Sequence, residues 1–218
     1  MNASPDLKDR LAEAARYALL RRLAPALRHN MAGALQPVAM IATMLEKRLQ
    51  KPAPDFAALA KNSNDINTLS REAAATCMAL MTWLAPKDNE KVPAGEGIAD
   101  AVGLLVTELS FRGFTVVNES TGCTAAVPRS LLRNAFMASL IALTDEGKSP
   151  ANVVISATAE SDALVVRISL APTDGEPSGN ASHAYRALDW SDVDALVAAD
   201  NATLVRGDGS VELHFNFG

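Results

Sequence analysis

Residues 27–50, LRHNMAGALQPVAMIATMLEKRLQ, decide the fold of the first half of the chain. Apolar residues recur in this stretch at alternating spacings of three and four, which is the pattern of one helix face. The same spacing extends back to about Asp6, so it predicts one long amphipathic helix over residues 6–50. The apolar face comprises Leu20, Leu23, Leu27, Met31, Ala34, Val38, Ile41, Leu45 and Leu49.

A second helix is predicted after the short turn KPAP at residues 51–54. Its apolar and small positions are Phe56, Leu59, Ser63, Ile66, Ser70, Ala73, Cys77, Leu80 and Leu84. Two antiparallel helices cannot enclose a core by themselves, and each stripe continues for about four heptads. Pairing of two hairpins into a four-helix bundle would bury both stripes, so we expect a homodimer. Residues 1–86 are the predicted hairpin and dimerisation domain.

The pattern changes across residues 86–97, PKDNEKVPAGEG, which combine charge, Pro and Gly. Helices are predicted over residues 97–112, 128–145 and 190–200, the last with Ser191 as N-cap. Strands are predicted over residues 114–119, 152–160 and 163–170, and a closing hairpin turns on Asp208-Gly209. The fold class is therefore α+β: a helical hairpin, then a two-layer α/β sandwich over residues 95–218.

Composition excludes several classes of function. A net charge of −5 and a pI of about 5.2 argue against nucleic-acid binding, which needs a concentrated basic surface. Cys77 and Cys123 lack the CxxC spacing, so we interpret both as reduced structural thiols and expect no metal site. No apolar stretch reaches the ~18 residues of a membrane span, and residues 1–10 lack a signal-peptide core, so a cytoplasmic location is expected.

His29 is the candidate catalytic residue. At about 100° per residue it lies about 200° from Leu27 and Met31, on the side of the helix that should face solvent. Arg22, Pro25, Ala32, Gly33 and Gln36 share that side, and small or polar residues leave room for a partner to approach. The plain alternative is that His29 is an ordinary surface histidine. The candidate partner-binding residues are Arg22, Arg28, Asn30, Ala32, Gly33 and Gln36.

The segment HNMAGAL at residues 29–35 resembles the phospho-acceptor box of sensor histidine kinases. His29 and Leu35 match that box, but Asn30 stands where the family usually has Glu or Asp. The family's acidic residue is its general base for taking the γ-phosphoryl group of ATP, and an amide cannot accept a proton in that way. The resemblance therefore implies a phospho-acceptor that does not phosphorylate itself.

The second half resembles the family's ATP-binding domain with its ligands missing. In LLRNAFMASLIAL, the asparagines that hold magnesium and nucleotide fall on Ala138 and Ala142. The loop after residue 170 reads APTDGEPSGN, with Asp174 and Gly175 late in place of Asp-x-Gly-x-Gly. The resemblance thus implies that no ATP and no Mg²⁺ are bound by this chain, and that Mg²⁺ is supplied only by a partner receiver domain.

This combination is similar to histidine phosphotransferases of the sensor-kinase-like type, which include an alphaproteobacterial cell-cycle phosphotransferase and a sporulation-relay phosphotransferase. It implies a cytoplasmic two-component phosphorelay in which His29 carries a phosphoryl group between response-regulator receiver domains, with a hybrid histidine kinase as a further partner. Such a chain is a phosphotransferase with a phosphohistidine intermediate rather than an ATP-dependent kinase.

Three alternatives stay open from the sequence. The chain could be a non-catalytic dimeric adaptor or pseudokinase that binds a receiver domain or a kinase. It could be a phosphatase in which Gln36 or Asn30 orients water, or a working kinase with divergent boxes. If the chain is a phosphotransferase, three arginines would steer an acidic receiver toward the bundle: Arg21, Arg22 and Arg28. Otherwise they would form an ordinary solvated face of the helix.

Overall fold

The computed structural model describes residues 5–84, 90–175 and 186–216. Contacts divide the chain into two compact units, and helix α1 (Pro5–Leu49) contributes to both. Its residues 25–49 belong to a helical hairpin unit, whereas its residues 5–24 belong with the α/β unit that begins after the hairpin. A boundary inside α1 was not predicted, because Pro25 stands at it but the helix continues through Pro25 without a loop.

The hairpin unit consists of α1 from residue 25 and helix α2 (Phe56–Leu84). Asp55 begins α2, because its carboxylate accepts hydrogen bonds from the backbone N–H groups of Ala57 at 3.0 Å and Ala58 at 3.1 Å. Arg48 closes the loop end of the hairpin by donating to Asn62 Oδ1 at 3.2 Å. The two long helices predicted from the spacing of apolar residues are therefore present.

The α/β unit is built on a five-stranded sheet. Its helices are α3 (Ala94–Phe111), α4 and α5 (Trp190–Ala199). Helix α4 is continuous: it starts at Arg129–Leu131, passes through a π-helical turn at Leu132–Phe136 and continues over Met137–Glu146. The strands are β1 (Lys91–Pro93), β2 (Phe114–Asn118), β3 (Ala126–Pro128), β4 (Ala151–Ala159), β5 (Ala163–Pro172), β6 (Ala202–Gly207) and β7 (Ser210–Asn216).

The sheet has the strand order β2-β4-β5-β7-β6, with β2 parallel to β4 and all other pairs antiparallel. Alternate residues of the strands are buried, as expected for a sheet with one face toward helices and one toward solvent. The buried residues of the sheet are Phe114, Ala151, Val153, Ile155, Ala163, Leu164, Val165, Val166, Ile168, Val211, Leu213 and Phe215; β5 departs from alternation because its first four residues are all buried. The predicted fold class, a helical hairpin followed by a two-layer α/β sandwich, is confirmed.

Two details differ from the sequence predictions. Strands β1 and β3 pair as a separate two-stranded sheet, and at three residues each they are too short to show a period. The N-cap of α5 is Asp189 rather than Ser191, because the helix begins at Trp190, as its predicted range does. The Asp189 carboxylate accepts from the N–H groups of Ser191 at 2.9 Å and Asp192 at 3.2 Å, and Asp192 accepts from the Asp189 N–H in return.

Candidate functional site

His29 is exposed on α1 within the hairpin unit. The half-buried residues of this part of α1 define the side that packs on α2: Ala26, Leu27, Asn30, Ala34, Pro37, Val38, Ile41, Leu45 and Arg48. On the helical wheel their mean direction is about 120° from His29. The imidazole therefore points away from the seam of the hairpin, as the sequence pattern predicts.

A second apolar stripe on α1 is not covered within the hairpin. It consists of Met31, Leu35, Ala42 and Leu49, which are exposed although three of them are large and apolar. On the helical wheel, the mean direction of this stripe is about 90° from the seam, on the side of the seam away from His29. The stripe is therefore roughly opposite His29. Contact with another apolar surface would thus cover this stripe without covering His29.

Helix α2 carries a matching stripe. Phe56 is 78% exposed and Met78 is 67% exposed. On the helical wheel both lie about 110–160° from Asn62, which is in the seam. The same side of α2 also carries Ala60, Ser63 and Ala74. Because the two helices are antiparallel, this rotation brings the α2 stripe to the same side of the hairpin as the α1 stripe. The hairpin has one continuous apolar side, and His29 lies on the other.

The line of α1 that contains His29 is polar or open. Gly33, Gln36, Met40 and Lys47 lie within about 40° of it on the wheel and are all exposed. A Cβ atom added at Gly33 would meet nothing within 4 Å. No intramolecular packing therefore requires glycine there, and the surface below His29 is accessible to a large partner.

The predicted partner-binding residues are not all on one surface. Arg28, Ala32, Gly33 and Gln36 are exposed in the hairpin unit, while Asn30 is half-buried toward the seam. For Arg22, the expected exposure was wrong: its side chain is 4% exposed and belongs to the α/β unit. The wheel argument failed at Arg22 because α1 packs on a different neighbour before residue 25.

Arg22 lies in a buried ionic cluster. Its guanidinium donates to both carboxylate oxygens of Glu108, at 3.0 and 2.5 Å, and to Asp145 Oδ1 at 3.3 Å. Arg112 Nη1 lies 2.8 Å from the same Asp145 oxygen, and Arg112 also donates to the carbonyl oxygen of Thr144 at 2.6 Å. Burial by itself lowers the pKa of Arg22, but the Glu108 hydrogen bond and the Asp145 charge raise it overall. The cluster therefore holds α1 to α3 and α4.

The two positions where the resemblance places the family's magnesium- and nucleotide-binding asparagines carry no polar side chain. Ala138 and Ala142 of α4 are 0% and 1% exposed. Asp174 and Gly175 follow β5, but most of the loop that diverges from the glycine-rich pattern, residues 176–185, lies outside the described residues. Within the described ranges, no three His, Cys, Asp or Glu side chains come together as metal ligands.

A cleft of about 810 Å³ opens beside the end of β5. Lys148 and Arg206 line it together with Glu146 and Asp208, and the Arg206 guanidinium lies 5.1 Å from the centre of the Trp190 ring. The two cations are matched by two carboxylates. A triphosphate would gain little from this balanced lining, since its several negative charges need an excess of cations or a metal ion.

No family model matches, and no curated protein matches. The solved structures include the histidine kinase AdeS of Acinetobacter baumannii, at 14% identity and a TM-score of 0.46, over 84% of this chain and 96% of that one. A histidine kinase of Burkholderia phymatum has 16% identity and a TM-score of 0.44, over 89% and 96%. The blue-light activated histidine kinase EL346 of Erythrobacter litoralis has 14% identity and a TM-score of 0.45, over 83% and 62%.

None of the described helices is long and apolar enough to cross a membrane.

Proposed function

We propose that the chain is a histidine phosphotransferase of a two-component phosphorelay, in which His29 carries a phosphoryl group between receiver domains. The observation that carries this proposal is the position of His29: exposed on α1, on the side of the hairpin opposite its apolar stripes. An acceptor needs an accessible ring nitrogen on a rigid element, and a helix in a bundle provides both.

In the proposed transfer, the reacting group that this chain supplies is a ring nitrogen of His29. A ring nitrogen of neutral His29 attacks the phosphorus of an aspartyl phosphate on the donor receiver, the P–O bond to that aspartate breaks, and its carboxylate leaves. The phosphoimidazole returns the group to an aspartate of the next receiver by the reverse step. Mg²⁺ belongs to the receivers in this proposal, where it neutralises charge on the transferring group.

The partner surface continues from His29 along α1, through Ala32, Gly33 and Gln36, and includes exposed Arg28. We extend it to Met40 and Lys47, which are exposed on the same line. Methionine adapts to differently shaped partners, which suits a surface that must bind a donor and an acceptor receiver in turn. Arg28 and Lys47 favour an acidic partner. Arg22 is not part of this proposal, because it is buried.

The proposal includes a homodimer and excludes ATP as the phosphoryl source. A second copy would cover the apolar stripes of α1 and α2 and complete a four-helix bundle. Asn30 cannot act as the general base that an acidic residue would supply, and Ala138 and Ala142 cannot hold magnesium. The phosphoryl group would then come from a receiver domain, such as that of a hybrid histidine kinase in the cytoplasm.

The proposal is tested by mixing the protein with each receiver domain of the same genome, phosphorylated with radiolabelled phosphoramidate. Label should move to the wild-type chain and not to His29→Gln. Loss of label to free phosphate in both proteins would instead indicate a phosphatase. Binding of a receiver without movement of label would indicate a non-catalytic adaptor, the alternative that Asn30 beside His29 leaves open.

A further inference from the structure

Residues 5–24 of α1 pack within the α/β unit although they belong to the same helix as His29. Five apolar residues on one side of this segment are 1–4% exposed: Ala12, Ala15, Ala18, Leu19 and Leu23. On the opposite side of the wheel Tyr17 is 56% exposed. One face of the segment is thus pressed against the α/β unit, and three of its five buried residues are alanines, which permit a close approach between helices.

Helix α4 is buried on every side. All eight residues from Met137 to Thr144 are buried, so the sheet and the flanking helices α3 and α5 cannot be its only neighbours. On the wheel, Ala138 and Ala142 lie in nearly the same direction as Asp145, and Leu140 and Leu143 lie on the opposite side; we call the side of Ala138, Ala142 and Asp145 the outer face of α4. Some element must therefore cover the outer face of α4.

The charged contacts of α1 place it over this face. Near the C-terminal end of α4, Arg22 bonds to Asp145 at 3.3 Å, and Asp145 shares its direction with Ala138. One and a half turns earlier on α1, Arg16 attracts Asp200 at the end of α5, and Asp200 is hydrogen-bonded to Asn134 of α4. The α1 segment is anchored at both ends of the outer face, with Ala18 and Leu19 between the anchors.

We infer that the α/β unit is a helix-binding domain whose ligand is the chain's own α1: residues 12–23 occupy the outer face of α4 as a permanent third layer. The face formed by Ala138 and Ala142 is then closed to nucleotides and other soluble ligands by occupancy as well as by the lack of polar side chains. This inference does not depend on whether His29 carries a phosphoryl group.

The test is hydrogen–deuterium exchange of the full chain carrying Leu19→Asp, which puts a carboxylate into the buried layer. Backbone amides of residues 5–24 and of residues 137–146 should both exchange at least ~10-fold faster, because uncovering one face uncovers the other. Amides of β5 and β7 should be unchanged. The control is Tyr17→Asp, which places the same charge on the opposite, exposed side of the same helix and should leave all four segments unchanged.

Faster exchange in residues 5–24 with no change in residues 137–146 would overturn the inference, because α1 would then cover something else. Unchanged exchange in both segments would also overturn it. If Leu19→Asp unfolds the sheet as well, the milder Leu19→Ala is measured instead and the same comparison between residues 5–24, residues 137–146 and the sheet decides the outcome.

Discussion

Arg22 Nη2 lies 3.3 Å from Asp145 Oδ1, although the two residues are 123 positions apart in the chain. The same guanidinium is bidentate to Glu108, and it shares the neutralisation of both carboxylates with Arg112. A residue that the sequence pattern assigned to a partner surface is therefore a structural tie between α1 and the α/β unit.

Replacing Arg22 with Met should lower the free energy of unfolding by about 3 kcal/mol, since breaking a buried ion pair leaves charge uncompensated. Arg112 still contacts Asp145 at 2.8 Å, which places the loss at the lower end of the range for buried pairs. Urea denaturation measures it. Arg28→Met removes the same charge from an exposed position and should change stability by less than about 0.5 kcal/mol. Equal losses in the two variants would contradict the buried cluster.

Asp200 should make folding depend on pH. Burial is the main cause that raises the pKa of Asp200 above its ordinary 3.8, against the charge of Arg16 and a hydrogen bond from Asn134. A raised folded-state pKa means that ionised Asp200 disfavours folding at neutral pH, and that this cost disappears as pH falls from the folded pKa toward 3.8. Asp200→Asn should therefore raise Tm at neutral pH, with a benefit that shrinks in acid. A benefit that stays constant with pH would contradict the shift.

Two glycines should respond in opposite directions to alanine. Gly33→Ala should stabilise the protein by about 0.5–1 kcal/mol, because a Cβ there meets open space and alanine is the better helix former. Gly97→Ala should destabilise it, because a Cβ there would lie 2.4 Å from Leu132 Cδ1 and 2.9 Å from Val92 Cγ2. Thermal unfolding checks both. Gly103→Ala, another open helical position, is the control for helix propensity and should behave as Gly33→Ala does.

The two sides of the hairpin should separate dimerisation from partner binding. Phe56→Glu with Met78→Glu places charge on the apolar side and should convert the dimer to monomer, measured by light scattering. Met40→Glu with Met44→Glu places the same charge on the side of His29, where both methionines are exposed. That variant should stay dimeric but receive label from a phosphorylated receiver at least ~10-fold more slowly, since acidic side chains repel an acidic partner. If the variant with Met40→Glu and Met44→Glu became monomeric, the dimer interface would lie on the side of His29, which would contradict this account.

The hairpin and the sheet could be predicted because each follows from a local period. Alternating spacings of three and four mark α1 and α2, and alternation of period two marks β4, β5 and β7. The position of His29 followed from the same reasoning, because α1 and α2 pack with their apolar faces together from residue 25 onward.

The packing of residues 5–24 could not be predicted. Ala12, Ala15 and Ala18 carry little hydrophobic signal, and the charge partners of Arg22 lie 86 and 123 positions away. A sequence pattern shows that a helix has an apolar face but not which element covers it. The long helix therefore looked like one element of one domain, and Arg22 looked like a surface residue.

The central claim is tested most directly by mapping the phosphorylated residue. The wild-type chain is incubated with a phosphorylated receiver domain, digested at neutral pH to preserve phosphoramidate linkages, and analysed by mass spectrometry. The account predicts phosphate on the peptide that contains His29, lost on mild acid treatment and absent from His29→Gln. Phosphate on another side chain, or none on a chain that nevertheless binds the receiver, would contradict it.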